Sequence, residues 1–161
     1  MFARPLIDSI EFARSGRVLS GDVAVGALPR LTDQLFSREG AIHYVVRGMQ
    51  ADDRSYLLLE LSGSCHLRCQ RCLDDLPYSV ESSSRLQLLE GEALMQEDAD
   101  DEQDGIEASR NLDVLDLVED ELLLSLPFAP RHDDGVCELA IASAGQADDR
   151  FGMLARLKQN K

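Results

Sequence analysis

A chain of 161 residues, 44% apolar and with a formal charge of −14, is sized for a single domain that buries its own core. No apolar run approaches the roughly 20 residues that a bilayer crossing needs. Residues 1–8 carry an early Arg4 but no apolar stretch of a secretory signal, so the expected location is the cytoplasm, where thiols stay reduced.

The charge is unevenly laid out. Through Leu73 nine arginines face eight acids, a net of +1; beyond it seven Lys or Arg face 22 acids, a net of −15. Such a surface repels phosphates unless the early arginines gather on one face, which argues against tight electrostatic binding to bare nucleic acid and favours basic proteins as partners. Aromatic residues make up 5% of the chain with no Trp, which leaves Leu and Val to build the core.

In chain order, residues 18–25 suit a short strand. Pro29 opens a helical stretch that sets Leu28, Leu31 and Leu35 on one side and ends at Gly40. Residues 42–49 and 56–62 then read as an antiparallel hairpin, with Asp52, Asp53 and Arg54 at its turn. Residues 76–89 alternate cleanly: Tyr78, Val80, Leu86 and Leu88 share one face, interrupted by Ser82 and Ser84, and the other face is polar. Residues 90–109 hold nine acids and no Lys or Arg, the composition of a mobile acidic loop inside the single domain of residues 1–161.

The strongest helix signal spans residues 114–126, capped by Asp113 and stopped by Pro127. Val114, Leu115, Leu117, Val118, Leu122, Leu124 and Leu126 form its apolar arc; Asp116, Glu119 and Asp120 fall opposite. Two residues break the pattern. Glu121 lies inside the apolar arc and Leu123 on the polar side. Phe151, Leu154 and Leu157 fit one face of a short last helix. The expected architecture is α+β, an antiparallel sheet of about five strands, curled or barrel-like, with the long helix packed on it.

The chemistry concentrates in Cys65-His66-Leu67-Arg68-Cys69-Gln70-Arg71-Cys72. A C-x3-C-x2-C spacing is the iron–sulfur pattern of radical S-adenosylmethionine enzymes, but those need a large barrel of alternating strands and helices that this chain lacks. A redox C-x2-C lacks its strand–helix setting. Cys69 and Cys72 at a tight turn suit a zinc knuckle, half of a tetrahedral site; His132 and Cys137 offer the other half, and Cys65 could substitute for either. The plain alternative is reduced, partly buried cysteines without metal. Glu121 is either a functional carboxylate or one paired with an arginine at the edge of the stripe. Arg68 and Arg71 are candidates for phosphate contact, balanced by Asp74 and Asp75 beside them, and Glu119, Asp120 and Leu123 for a partner surface. No phosphate-binding glycine loop, serine nucleophile elbow or HExxH pattern is present.

Taken together, Gly63, Cys69-Gln-Arg-Cys72-Leu73, the stretch from Asp113 to Pro127, Pro130-x-His132-x4-Cys137 and the ending Phe151-x2-Leu154-x2-Leu157-Lys158 resemble the YceD family. The resemblance implies a bacterial or plastid protein tied to the accumulation of large-subunit ribosomal RNA, without catalytic activity or a small-molecule substrate. Its expected partners are that RNA or a pre-ribosomal particle, including basic ribosomal proteins; direct RNA binding through Arg68 and Arg71 is the alternative. Cys69, Cys72, His132, Cys137 and the stretch from Val118 to Leu122 coincide with family motif positions; a bound metal is not implied. Cys65 departs from the pattern and leaves the ligand set open.

Overall fold

Two consecutive aspartates in left-handed geometry, Asp52 at φ 50° and Asp53 at φ 60°, make the tight turn on which the architecture hinges. The computed structural model describes residues 4–91 and 104–137. The turn joins strands β3 (Leu35–Ala51) and β4 (Arg54–Arg68), paired from Ala51↔Arg54 to Leu35↔Leu67 with one irregularity between Leu35 and Gly40. On either side lie β2 (Val18–Ala24) and β5 (Asp75–Leu89), and β6 (Asp104–Glu107) joins the far edge. The five-stranded order is β2-β3-β4-β5-β6, antiparallel except for the parallel β5–β6 pair.

The hydrogen bonding leaves β2 and β6 at opposite ends of that order, so the sheet is not closed into the barrel expected as one alternative. A second, two-stranded sheet pairs β1 (Leu6–Ile7) with β7 (Leu112–Asp113).

Period-2 patterning places Ile42, Tyr44 and Val46 of β3, Leu57, Leu59 and Leu61 of β4, and Val80, Leu86 and Leu88 of β5 in the core. Two helices cover this face. The short α1 (Ser9–Arg14) brings Phe12 and Ala13. The longer α2 (Val114–Ser125) brings Val114, Leu117, Val118 and Leu122. Asp113 caps α2 by accepting the N–H groups of Leu115 (2.9 Å) and Asp116 (3.3 Å), while Arg4 holds Asp113 at 2.8 Å and Asp116 at 2.6 Å.

Three expectations are corrected. Residues 29–39 are not a helix: a 3-10 turn at Pro29–Leu31 gives way to β3 at Leu35, so Leu28, Leu31 and Leu35 are buried from a turn and a strand. The acidic loop proposed for residues 90–109 is not one throughout, because Asp104–Glu107 add a strand beside Leu86–Leu89 and Ile106 packs against the core. Residues 92–103 and the helix expected around Phe151 lie outside the described residues.

The third concerns α2. Glu119, placed on the polar face by periodicity, is 1% exposed, and Leu124, placed in the apolar arc, is 79% exposed. The helix is covered on two sides, by the sheet and by the Pro29 turn, whose Arg30 N–H donates to Glu119 Oε1 at 2.6 Å. That second cover rotates the solvent stripe onto Asp116, Asp120 and Leu124, four residues apart. Leu123 is half-buried against the core.

Candidate metal centre

The knuckle closes the far end of the hairpin between β4 and β5. Cys69 N–H donates to Asp74 O (3.0 Å) and Leu73 N–H to Cys69 O (2.9 Å), a reversal that requires Leu73 at φ 63°. After Pro127 the chain runs back to this turn, and Gln70 N–H donates to Pro130 O at 2.8 Å. Arg71 adds an ion pair with Asp134 at 3.2 Å. These contacts deliver His132 and Cys137 onto Cys69 and Cys72.

The ligand atoms of Cys69, Cys72, His132 and Cys137 all lie within 4.8 Å of one another. Cys69 Sγ is 3.5 Å from Cys137 Sγ, and His132 Nδ1 is 3.4 Å from the sulfurs of both Cys72 and Cys137. A tetrahedral zinc with bonds of about 2.3 Å to sulfur and about 2.0 Å to nitrogen has edges of about 3.5–3.8 Å. The cluster is close to that size before any ion is considered.

The imidazole is oriented for ligation. Its Nε2–H donates to the Asp75 carbonyl at 2.8 Å, which leaves the Nδ1 lone pair facing the three sulfurs. Such an outer hydrogen bond sets the tautomer of a metal-binding histidine. Asp75 is thus a supporting residue that the sequence did not point to, since the backbone carbonyl does the work. Its side chain is engaged separately, 2.8 Å from His66 Nδ1.

The electrostatics of the cluster ask for a cation. Burial pushes the Cys69 thiol up, but the backbone N–H groups of Cys72, His132 and Arg71 outweigh it and bring Cys69 down to about 5. One contact behind this is the Arg71 N–H, 3.4 Å from Cys69 Sγ. Burial, hydrogen bonds to Cys69 and Cys72 and repulsion from their sulfurs push Cys137 up to about 11. The hydrogen bond to Asp75 raises His132. Three sulfurs at this spacing cannot all ionise beside one another unless positive charge sits among them. Three thiolates and one imidazole suit zinc, a borderline-soft ion content with tetrahedral geometry.

The remaining sequence candidates separate from this site. Cys65, the possible substitute ligand, is not among the side chains gathered at the cluster: it packs into the hydrophobic core from β4, and burial raises its thiol. Arg71 is half-buried and committed to Asp134, whereas Arg68 is exposed. Asp120 is exposed and paired with Arg30; Glu119 is turned inward, not toward a partner.

Glu121 has partners that neither sequence alternative named. It is 8% exposed, and its Oε1 accepts the hydroxyls of Ser82 at 2.6 Å and Ser84 at 2.5 Å. A carboxylate breaking the apolar arc of α2 and two serines breaking the inward face of β5 are one feature seen from its two sides. The signal was present in the paired irregularities.

An open sheet with one face under two helices, clasped at one end by a Cys3His cluster, defines a scaffold with a metal-type knuckle at its edge. The family comparison gives this scaffold its place: the model for "Large ribosomal RNA subunit accumulation protein YceD" matches residues 57–158, and the chain belongs to the YceD family. Searches of curated proteins and of solved structures found no match. No helix among the described residues is long and apolar enough to cross a membrane.

Proposed function

We propose that this protein is a non-enzymatic factor for the accumulation of large-subunit ribosomal RNA. It acts in the cytoplasm on pre-ribosomal particles, with one zinc held by Cys69, Cys72, His132 and Cys137. Membership of the YceD family carries the ribosomal part of this reading. The ligand tetrad, with its histidine already oriented by Asp75, supports the zinc.

Zinc here is structural: four protein donors complete its coordination and leave no open position for water or substrate. Its role is to fasten residues 128–137 across the hairpin end, joining parts of the chain 68 residues apart between Cys69 and Cys137. The charge layout supports basic ribosomal proteins as the contacts within the particle, since only two of the nine arginines up to Leu73 lie at the knuckle.

Depletion of the protein tests the ribosomal role. Large-subunit RNA should fall relative to small-subunit RNA, and unchanged ratios and particle profiles would refute it. Metal analysis of freshly purified protein tests the zinc. About one zinc per chain is expected, lost in Cys69→Ser and Cys137→Ser but retained in Cys65→Ser. Direct RNA binding through Arg68 and Arg71 predicts instead an affinity that collapses with salt and weakens in the double alanine variant.

A further inference from the structure

A cavity of about 400 Å³ lies between α2 and the β5–β6 edge, lined by Leu86, Ile106, Leu117 and Leu123 on its apolar side and by Arg30, Asp104, Asp120 and Glu121 on its polar side. Its size falls in the roughly 300–1,000 Å³ range of clefts that hold ligands. Three carboxylates face one guanidinium there, and that guanidinium is already committed: Arg30 is bound to Asp120, with Glu119 and Asp116 as its other acidic influences.

Glu121 is the informative member. More than nine-tenths of it is buried, yet no cation pairs with it among the described residues. Both serine hydroxyls bind the same oxygen, Oε1, so its other oxygen takes no hydrogen bond from a described residue. That oxygen is not sealed in the core, since no buried side-chain oxygen among the described residues lacks a partner; it opens to the cavity that Glu121 lines, where a cation can reach it.

We propose that this cavity receives an arginine or lysine side chain from a basic protein partner. The methylene stem lies along Leu86, Ile106, Leu117 and Leu123, and the cationic head meets Glu121, with Asp104 at the rim. An apolar wall leading to a carboxylate suits such a side chain better than a bare metal ion, which would want several oxygens at close range. It suits RNA least, since the polar side would repel phosphates. This deepens the reading of basic ribosomal proteins as partners and rests on it.

The test is titration of the full-length, metal-loaded, 15N-labelled protein with Nα-acetyl-arginine amide, using Nα-acetyl-norleucine amide as the uncharged control. Saturable shifts at the amides of Ile106, Leu117 and Leu123 are expected with the arginine probe. Its affinity should exceed that of the control by about tenfold, and Glu121→Gln should lose about that factor. Glutamine keeps an oxygen for both serines and removes only the charge, so the fold is retained. Asp104→Asn at the exposed strand edge should weaken binding to a smaller degree. Equal binding of both probes, an unaffected Glu121→Gln, or an RNA oligonucleotide shifting the same amides more strongly would overturn the proposal. A failed titration alongside intact zinc content and a ribosomal RNA defect on depletion would sink the cavity assignment alone.

Discussion

The Glu121 cluster makes a quantitative prediction about stability. Ser82→Ala with Ser84→Ala removes both donors from Oε1 while leaving the carboxylate at its buried position. Hydrogen bonds to a charged group contribute about 1.5–3 kcal/mol each, so the loss lies at about 3–6 kcal/mol, or about 1.5–3 kcal/mol if cavity water replaces one donor. Either figure is a large share of the ~5–15 kcal/mol that holds a domain of ordinary stability together.

The converse is sharper. Glu121→Met alone strands two hydroxyls against an apolar side chain and should destabilise by about 1–2 kcal/mol. In the double-alanine background it should restore stability to within about 1 kcal/mol of the starting protein, because an apolar side chain then meets an apolar strand. Urea unfolding of all four proteins at constant m measures the cycle, with an expected coupling of about 2 kcal/mol or more. If the effects add to within about 0.5 kcal/mol, the serines do not sustain the carboxylate and the account fails.

Other consequences follow from local geometry. Asp53→Gly should raise stability by about 0.5–1 kcal/mol, seen as a higher Tm, because the hairpin turn holds this position at φ 60°. Gly48→Ala should cost about 2–3 kcal/mol, since a Cβ there would stand 2.2 Å from the Phe12 carbonyl oxygen and push α1 off the sheet. Cys65 should resist iodoacetamide in the native protein at neutral pH and react on unfolding. Burial raises the Cys65 thiol and, with Asp22 nearby, the Tyr44 hydroxyl. Both groups are therefore held protonated by folding. Their contribution is complete below their ordinary values of 9.0 and 10.0 and is lost as pH climbs through the raised ones. Urea midpoints that stay flat from neutral pH into that alkaline range would count against this.

The long strands were legible because each has a single buried face, and alternation in residues 76–89 survived even its two serines. Helix α2 was legible in its limits, set by Asp113 and Pro127, and misread in its faces. A 100° arc assumes one buried side, but α2 is covered by the sheet and by the turn at Pro29, so Glu119 went inward and Leu124 outward. The spacing of Leu28, Leu31 and Leu35 fits a helix as well as a 3-10 turn leading into a strand. Only the pairing of Leu35 with Leu67 across β3 and β4 decides between them. Strand β6 was hidden for a related reason. Its charges describe an acidic loop, and its reason for ordering is the edge of β5, which no local pattern encodes.

The metal-type cluster was legible because cysteine and histidine spacing reports chemistry independently of secondary structure, yet spacing could not choose between Cys65 and the distant pair. Proximity makes that choice: the ligand atoms of Cys69, Cys72, His132 and Cys137 gather within 4.8 Å of one another, and Cys65 is not in that group. A structural site and a redox pair can still be told apart in solution by loading the cluster with cobalt. Four donors with edges of 3.4–3.5 Å between the measured neighbours should impose tetrahedral coordination, with the intense visible bands of that geometry and sulfur-to-cobalt charge transfer in the near ultraviolet. His132→Ala should weaken and shift the bands while leaving thiolate charge transfer in place; Cys137→Ser should reduce the charge transfer itself. Proteolysis within residues 128–137 should accelerate in both variants, because the clasp on the tail is loosened. A protein that gives pale octahedral cobalt spectra, or that readily forms a Cys69–Cys72 disulfide with no change in tail protection, would show that these thiols do not fasten the scaffold.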